Sequence, residues 1–451
     1  MATKGRFLLM KFFGRETEIA ELLKIREDSK TTPRMTVVTG RRRVGKTELI
    51  THALDDGKTP FIYFLITRAP QAVVCENLQA EITRVFGRPM PGRIERFADI
   101  FRFVMEEAET TPLTLVVDEF QEFDRTAPEV YGEVAGIWDQ LHKTSRINLV
   151  FCGSVNRLMN KVFFNYAEPL YGRNTGRLDL KPFPVSTLKE IFAECAPAKR
   201  KTSDFLDLWT LTGGVARYVE LFMDARAFNR AAMLKTVFGP VTTFIDEGKT
   251  VLIEEFGRDY GTYFAILAGI ASGKTTFAEL STLLGIDVGG YLTKLERDYT
   301  IVSQTRPIFE KTRNKNCHYR IDDCFFRFWF RFIYRNQSMI ELGRFKELQA
   351  LTTRDLDAFS GYALERYFFW KFCEDTSYTN IGGWWDRKGE NEIDLVCEDS
   401  INGRLDFYEV KRDLRRIDLA ALRTKTEAFY AKNPELRNLA SDCRGLSLSD
   451  M

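Results

Sequence analysis

A short run of small and basic residues after an apolar segment limits this chain more than any other feature. Met35–Thr39 has the pattern of a buried strand, and a helical pattern begins soon after it. Between the two lies the segment Gly40-Arg41-Arg42-Arg43-Val44-Gly45-Lys46-Thr47. Its two glycines let the backbone curl so that N–H groups converge at the start of the helix. A strand, loop and helix in this order are typical of a parallel α/β sheet.

The same eight residues have the spacing of a loop that surrounds phosphates, GxxxxGKT. In such a loop the backbone N–H groups of Gly40 to Gly45 contact the phosphates, and Lys46 reaches the outer ones. The hydroxyl of Thr47 is then placed to bind Mg²⁺. The segment therefore predicts that the chain binds ATP and Mg²⁺ as cofactors.

Two carboxylates end the apolar run Leu113–Val117, about seventy residues later. Asp118 is placed to hold the Mg²⁺ through water, and Glu119 is placed to polarise the attacking water. A strand that runs into an acidic helix cap is the alternative interpretation. Together with the phosphate loop, the pair predicts an enzyme that hydrolyses ATP.

Two further residues are candidates for contact with the nucleotide. Ser154 follows a third apolar run, Asn148–Cys152, and could donate a hydrogen bond to the attacking water or the γ-phosphate. A serine that caps a helix explains the same position equally well. Arg173 offers a cation for charge in the transition state, in its own subunit or in a neighbouring one, and a surface arginine is the alternative.

The chain of 451 residues is too long for one hydrophobic core, and the pattern changes along it. Strands and helices alternate at first, helices dominate later, and the last hundred residues show both. Three short helices followed by a strand suggest a winged helix within the middle part. The predicted domains are a P-loop ATPase core (1–180), a helical lid (181–248), a winged helix (249–320), a connecting helix (321–350) and a C-terminal α+β domain (351–451).

Composition limits where the protein acts and what it binds. The net charge is +2, so the chain has no overall basic character for nucleic acid or for an acidic membrane surface. The eight cysteines form no CxxC pair, which favours reduced thiols over a disulfide frame or a zinc site. No run reaches the roughly 20 apolar residues that span a bilayer, and the N-terminal segment lacks a cleavage signal. We expect a cytoplasmic protein with no membrane partner.

Taken together, these motifs resemble the archaeal-type P-loop ATPases, a branch near the AAA+ and STAND ATPases. The resemblance covers nearly the whole chain and implies an ATPase core, a helical lid and a winged helix. It rests on Phe13-Gly14-Arg15-Glu16, Thr39–Thr47, Val117-Asp118-Glu119-Phe120-Gln121, Cys152-Gly153-Ser154, Pro169-Leu170-Tyr171-Gly172-Arg173 and Gly213-Gly214-Val215-Ala216-Arg217-Tyr218.

The C-terminal part contains a second set of acidic residues. Asp394 and Glu409 lie in consecutive strand patterns and could converge on one divalent cation, with Lys411 on the same strand face as Glu409. A metal-dependent phosphodiesterase needs this arrangement. The pattern D…ExK resembles the restriction-endonuclease-like nucleases, the PD-(D/E)xK group, and Glu365 occupies the place of the helix glutamate that often completes their metal site.

A domain that keeps these residues for an internal salt bridge is the alternative. Residues 351–451 hold 15 Lys and Arg against 19 Asp and Glu, whereas a domain that grips DNA nonspecifically is usually basic. Basic residues at Lys311, Arg313, Lys315 and Arg320 could form a wing that touches phosphates, or a solvated loop.

The predicted fold is an α/β P-loop NTPase sheet with a helical lid, a winged helix and a C-terminal α+β restriction-endonuclease-like domain. We expect an ATP-hydrolysing switch or motor whose nucleotide state controls a nuclease-like domain acting on DNA. The alternative is a noncatalytic signalling or scaffold ATPase whose C-terminal domain only binds a partner or DNA. Assembly into a homo-oligomer, or with a protein partner, is compatible with both.

Overall fold

The computed structural model describes residues 11–90, 92–154, 156–239, 242–256, 260–310, 316–375 and 377–451. The chain forms two compact units. One comprises residues 14–181, and the other comprises residues 182–451 together with the segment that ends at Phe13. Within the described parts of the chain, none of the helices has the length and apolar character needed to cross a membrane.

The unit of residues 14–181 is built on a five-stranded parallel sheet with the strand order β2-β3-β4-β1-β5. Its strands are β1 (Arg34–Thr39), β2 (Phe61–Leu65), β3 (Leu113–Asp118), β4 (Ile147–Cys152) and β5 (Gly176–Asp179). Every residue of β3 and β4 is buried, as expected for a parallel sheet that is covered on both faces. The α/β core predicted from the alternating apolar runs is confirmed.

Among the residues that the structure describes, seven helices surround this sheet and bury its aliphatic and aromatic side chains. They are α1 (Glu16–Asp28), α2 (Lys46–Leu54), α3 (Gln71–Phe86), α4 (Phe97–Thr110), α5 (Phe123–Thr126), α6 (Val130–Leu141) and α7 (Asn156–Phe164). The core contains a cluster of aromatic rings, in which Phe120 packs against Phe151 and Phe163. That cluster fixes the turn that follows β3.

The strand register brings the carboxyl ends of three strands to one edge of the sheet. Val38 of β1 lies beside Cys152 of β4, and Val117 of β3 lies beside Phe151. Since all three strands are parallel, the residues that follow them emerge at the same edge. The phosphate loop, the Asp118–Glu119 pair and Ser154 are therefore neighbours.

The other unit is helical in its first half. Its helices are α8 (Val185–Cys195), α9 (Thr202–Thr212), α10 (Ala216–Asp224), α11 (Arg230–Val237), α12 (Phe244–Phe256), α13 (Tyr260–Ala271), α14 (Phe277–Leu284) and α15 (Gly289–Arg297). A two-stranded antiparallel sheet of β6 (Val302–Thr305) and β7 (His318–Ile321) follows. Three helices and a hairpin thus stand in the order expected of a winged helix.

A buried aromatic helix and a long helix lead to the C-terminal sheet. They comprise α16 (Cys324–Phe328), which continues into π-helical turns at Trp329–Ile333, then α17 (Gln337–Glu341) and α18 (Phe345–Glu374). Helix α18 runs unbroken for 30 residues, so the domain boundary expected at residue 351 falls inside it. Buried residues at helical spacing, from Leu348 through Leu356 to Leu364, explain why the helix does not end there.

A four-stranded sheet with the order β11-β10-β9-β8 forms the C-terminal part. Its elements are β8 (Asn380–Trp385), β9 (Glu392–Asp399), β10 (Arg404–Val410), α19 (Leu419–Lys432) and β11 (Ala440–Leu446). Strand β10 pairs antiparallel with β9 and parallel with β11. Helix α18 contacts β8, β9 and β10, and α19 contacts β9, β10 and β11. The α+β character expected here is confirmed.

Candidate functional site

The phosphate loop joins β1 to α2 in the conformation that its glycines allow. Gly40 has φ 150°, and a Cβ atom there would lie 2.5 Å from the Leu180 carbonyl oxygen, so no larger residue fits. Gly45 has φ 91° at the N-terminus of α2. Val44 is buried, whereas the neighbouring arginines at 41, 42 and 43 are partly or fully exposed. The backbone of the loop is thus set for close approach of a ligand.

Lys46 lies at the first position of α2 and is 7% exposed. Its Nζ donates hydrogen bonds to the carbonyl oxygens of Gly40 (2.8 Å) and Arg41 (3.0 Å), within its own loop. Burial lowers the pKa of the Lys46 ammonium, and the carboxylates of Glu119 and Asp118 oppose that effect. The ammonium is therefore held by acceptors that a phosphate oxygen could replace.

Asp118 is the last residue of β3 and accepts hydrogen bonds from two side chains. The Thr47 hydroxyl donates to Asp118 Oδ2 over 2.9 Å, and the Tyr63 hydroxyl of β2 donates to the same oxygen. A hydroxyl and a carboxylate in contact are the kind of hard oxygen ligands that suit Mg²⁺. The two predicted metal ligands, Thr47 and Asp118, thus lie together and fit the ion. Sequence reasoning did not identify Tyr63, which no motif singles out.

Glu119 begins the turn after β3 with a left-handed backbone, φ 54°. The Ser154 hydroxyl lies 3.0 Å from both of its carboxylate oxygens. The side-chain amide of Gln121 donates a hydrogen bond to Glu119 Oε2. The structure thus places the predicted base and Ser154 in direct contact, and it adds Gln121, whose spacing from Glu119 was visible in the sequence without a role.

Arg173 lies in the loop between α7 and β5 and is held by another part of the same unit. Its Nε and NH2 atoms contact the two carboxylate oxygens of Asp139 over 2.9 and 2.6 Å, and NH1 donates to the Pro169 carbonyl oxygen. This two-point contact lowers the pKa of the Asp139 carboxyl. Within the described residues, the guanidinium makes no hydrogen bond to Glu119 or Asp118, so the structure does not bring these groups together.

The C-terminal carboxylates lie at one end of the sheet. Strand β9 contains an irregularity opposite Gly383, between the pairs Gly382–Val396 and Trp384–Ile393. Bulges of this kind redirect side chains and are frequent beside active sites. The irregular position carries Asp394, whose Oδ2 accepts hydrogen bonds from the Val410 amide (2.7 Å) and from Lys411 Nζ (3.2 Å).

Lys411 lies between the two predicted carboxylates, because its Nζ is also 3.5 Å from Glu409 Oε1. Glu409 is nearly buried, and Lys425 of α19 is 3.9 Å from the same oxygen. Burial alone would lower the pKa of Lys411, but the carboxylates of Asp394 and Glu409 raise it above the ordinary value. The structure therefore brings Asp394, Glu409 and Lys411 together.

Glu365 faces this cluster from helix α18. Burial, followed by the charges of Asp394 and Glu392, raises the pKa of the Glu365 carboxyl to about 8. Crowded carboxylates of this kind are stabilised by a cation. The described residues nevertheless contain no group of three or more His, Cys, Asp or Glu side chains arranged around one metal position. Asp394 and Glu409, with Glu365 nearby, are the side chains that would hold an ion.

Of the basic residues for which the sequence suggests a wing, Arg320 lies within the described part of the chain. Arg320 lies on β7, where its Nε donates to the Thr305 hydroxyl over 3.1 Å. Lys311, Arg313 and Lys315 lie outside the described residues.

Comparisons with known proteins agree with the site at the edge of the parallel sheet. Residues 12–222 match the model of an ATPase domain found predominantly in Archaea, and residues 329–423 match a family of archaeal and bacterial proteins of unknown function. An uncharacterized protein of Methanocaldococcus jannaschii is 29% identical over 403 residues, which cover 85% of this chain and 84% of the relative.

Solved structures resemble the chain at lower identity. A Walker-type ATPase of Pyrococcus abyssi is 20% identical, with a TM-score of 0.52, over 71% of this chain and 96% of the other. The ORC2 protein of Aeropyrum pernix is 16% identical, with a TM-score of 0.49, over 78% of this chain and 97% of the other. Over residues 12–222 the chain is thus similar to an ATPase domain found predominantly in Archaea, and its parallel sheet has the fold of a P-loop ATPase.

Proposed function

We propose that the protein hydrolyses ATP bound at the loop Gly40–Thr47, with Glu119 as the base that activates water. One observation carries this proposal: Lys46, Thr47 and Glu119 lie at one edge of the sheet. Hydrogen bonds join Asp118 to the Thr47 hydroxyl and to the Glu119 amide, and the charges of both carboxylates act on the Lys46 ammonium. Each side chain has a chemical task there that matches its contacts.

Lys46 would exchange the carbonyl oxygens of its own loop for phosphate oxygens, which are stronger acceptors. Thr47 and Asp118 would hold Mg²⁺, which neutralises phosphate charge when it is bound. Glu119, which is more exposed than Asp118, would accept a proton from water. Ser154 would turn its hydroxyl from Glu119 to the γ-phosphate or to the attacking water.

We further propose that Arg173 supplies transition-state charge to a neighbouring subunit of a homo-oligomer. Asp139 holds the guanidinium, which makes no hydrogen bond to the chain's own Glu119 within the described residues. A guanidinium held by one carboxylate still has donors to offer. Size in solution, measured with and without a nonhydrolysable ATP analogue, tests the assembly that this role needs. A monomer in both conditions would contradict it.

For the C-terminal sheet we propose a nuclease-like activity on DNA that the nucleotide state controls. The supporting observation is the position of Lys411, which lies 3.2 Å from Asp394 and 3.5 Å from Glu409. Two carboxylates suit a divalent cation, and a lysine between them can stabilise charge on a phosphate. The raised pKa of Glu365 adds a carboxyl that becomes ionised most readily when a cation is present.

A scaffold ATPase is the second candidate, and a specific observation favours it. Lys411 pairs with both Asp394 and Glu409, and Lys425 lies 3.9 Å from Glu409, so the cluster can persist as an internal network of ion pairs without a metal. The excess of acidic residues in 351–451 also favours a scaffold, because a domain that grips DNA nonspecifically is usually basic. In that case the domain would bind a partner, and ATP hydrolysis would reset its conformation.

Two variants test the ATPase proposal. Lys46→Ala removes the ammonium that contacts the outer phosphates and should abolish ATP binding. Glu119→Gln keeps the shape of the side chain and should bind ATP but hydrolyse it much more slowly. Lys58→Ala, at an exposed lysine in the same unit, is the matched control and should behave as the wild type. Unchanged hydrolysis in Lys46→Ala would refute the proposal.

One experiment distinguishes the two functions proposed for the C-terminal domain. Plasmid and linear DNA are incubated with the protein, ATP and Mg²⁺ or Mn²⁺, beside the double variant Asp394→Ala/Lys411→Ala. The control is Asp442→Ala/Lys432→Ala, at exposed residues of the same sheet and its helix. Cleavage that only the first variant loses supports the nuclease. Equal cleavage, or none, in all three proteins with ATP hydrolysis intact supports the scaffold.

A further inference from the structure

Gln121 occupies an unusual position two residues after the proposed base. Its side chain is 0% exposed, in the short turn that follows β3. The amide nitrogen donates to Glu119 Oε2, whereas the amide oxygen is buried and has no hydrogen-bond partner. One end of this side chain is thus engaged with the site, and the other end is left unsatisfied.

An unpaired buried carbonyl oxygen is unfavourable for folding. A methionine or leucine would fill similar space without that cost, so packing does not explain why an amide is present. The surroundings also make room for it, because a Cβ atom on Gly153 would collide with Gln121 Oε1 and with the Met159 side chain. Orphaned polar atoms in native proteins are expected where a functional role retains them.

The contacts around Glu119 indicate what that role is. The Glu119 carboxylate accepts hydrogen bonds from two side chains, the Ser154 hydroxyl and the Gln121 amide. The Ser154 hydroxyl is a single donor, so it leaves Glu119 whenever it turns to a phosphate or water. The amide of Gln121 is too deeply buried to turn in the same way.

We propose that Gln121 is a positioning residue for ATP hydrolysis, which keeps the Glu119 carboxylate oriented toward the attacking water after Ser154 has turned to the nucleotide. This inference rests on the proposed role of Glu119 as the base. Gln121 acts on the chemical step through Glu119 and does not touch the nucleotide. Its loss therefore lowers kcat and leaves the affinity for ATP unchanged.

The test compares Gln121→Met with the wild type in single-turnover hydrolysis, with rates normalised to the concentration of nucleotide-bound sites. Loss of one hydrogen bond to a charged group predicts a rate lower by about ten- to a hundredfold. The dissociation constant for ATP should change by less than about threefold. The melting temperature should stay equal or rise, because the variant removes an unpaired buried oxygen.

A second variant perturbs the contact between Gln121 and Glu119 through the neighbouring Gly153. Gly153→Ala displaces the Gln121 amide without changing its chemistry and should also lower the rate while ATP still binds. The matched control is Gln79→Met, at a helix glutamine whose amide contacts Gly92 and Ile94. That variant should hydrolyse ATP at the wild-type rate.

The outcomes separate this inference from the proposed function. A wild-type rate in Gln121→Met, with Glu119→Gln inactive, overturns the role of Gln121 and leaves Glu119 as the base. A wild-type rate in Glu119→Gln overturns the proposed function itself. A rate loss in Gln121→Met that is matched by an equal loss of ATP affinity shows a merely structural role and also overturns the inference.

Discussion

The Glu365 carboxyl offers a quantitative test of the C-terminal cluster that does not depend on catalysis. In the folded chain its pKa is raised to about 8 from the ordinary 4.5, first by burial and then by the charges of Asp394 and Glu392. Between these two pH values the folded state holds a proton that the unfolded state has released. The free energy of unfolding therefore falls as the pH rises from 4.5 to 8.

Glu365→Gln keeps a neutral side chain of the same shape at every pH. We expect it to match the wild type near pH 4.5 and to be more stable at pH 8.5. The interval from 4.5 to about 8, at about 1.4 kcal/mol per pKa unit, sets an upper limit of about 5 kcal/mol on the gain. At about 2–4 °C for each kcal/mol, a rise of several degrees in melting temperature should be measurable.

The measurement is thermal unfolding in EDTA, followed by tryptophan fluorescence, at pH 5 and pH 8.5. Five of the six tryptophans lie in the unit that contains Glu365, so the signal reports mainly on that unit. Glu341→Gln, at an exposed glutamate that precedes α18, serves as the control. An equal difference between variant and wild type at both pH values would refute the reasoning, and so would a variant that is less stable at pH 8.5.

Three further results are expected from the same structure. Mn²⁺ should raise the wild-type melting temperature more at pH 8.5 than at pH 6, since a metal ligand must be ionised, and Glu365→Gln should reduce that difference. Gly40→Ala places a Cβ atom against the Leu180 carbonyl oxygen and should abolish binding of a fluorescent ATP analogue. Asp207→Ala leaves Arg230 with Asp357 as its remaining partner and should lower the free energy of unfolding by about 1.5–3 kcal/mol in urea titration.

The ATP site could be predicted from the sequence because its parts are local. The phosphate loop is one continuous segment, and the pair of Asp118 and Glu119 directly follows a buried strand. Parallel strands bring their carboxyl ends to one edge of a sheet, so the meeting of these segments follows from the fold class. The same rule accounts for the position of Ser154 just after β4, for which the sequence equally allowed a helix cap.

The remaining parts of the site depend on contacts that no local pattern encodes. Tyr63 reaches Asp118 only because β2 lies next to β3, and the strand order is not readable from a run of apolar residues. The proposed role of Gln121 needs the orientation of its amide, which depends on the contact with Glu119 and on the space beside Gly153. The sequence offers Arg173 as a candidate because it is a cation in a motif. Its bidentate contact with Asp139 could not be predicted, because the two residues are far apart in the chain.

The carboxylate cluster and the helical part of its unit are joined by a chain of charges that the sequence does not reveal. Arg412, directly after Lys411, lies 2.9 Å from Asp357 of α18, which in turn lies 2.7 Å from Arg230 of α11. Arg230 also contacts Asp207 of α9, which is almost fully buried. Asp357 is 62% exposed, so its pairs with Arg412 and Arg230 are weak, whereas separating Arg230 from the buried Asp207 is costly. A displacement of α9 relative to α11 would therefore cost the Arg230–Asp207 pair, whereas the contact of Asp357 with Arg412, next to Lys411, can break at little cost.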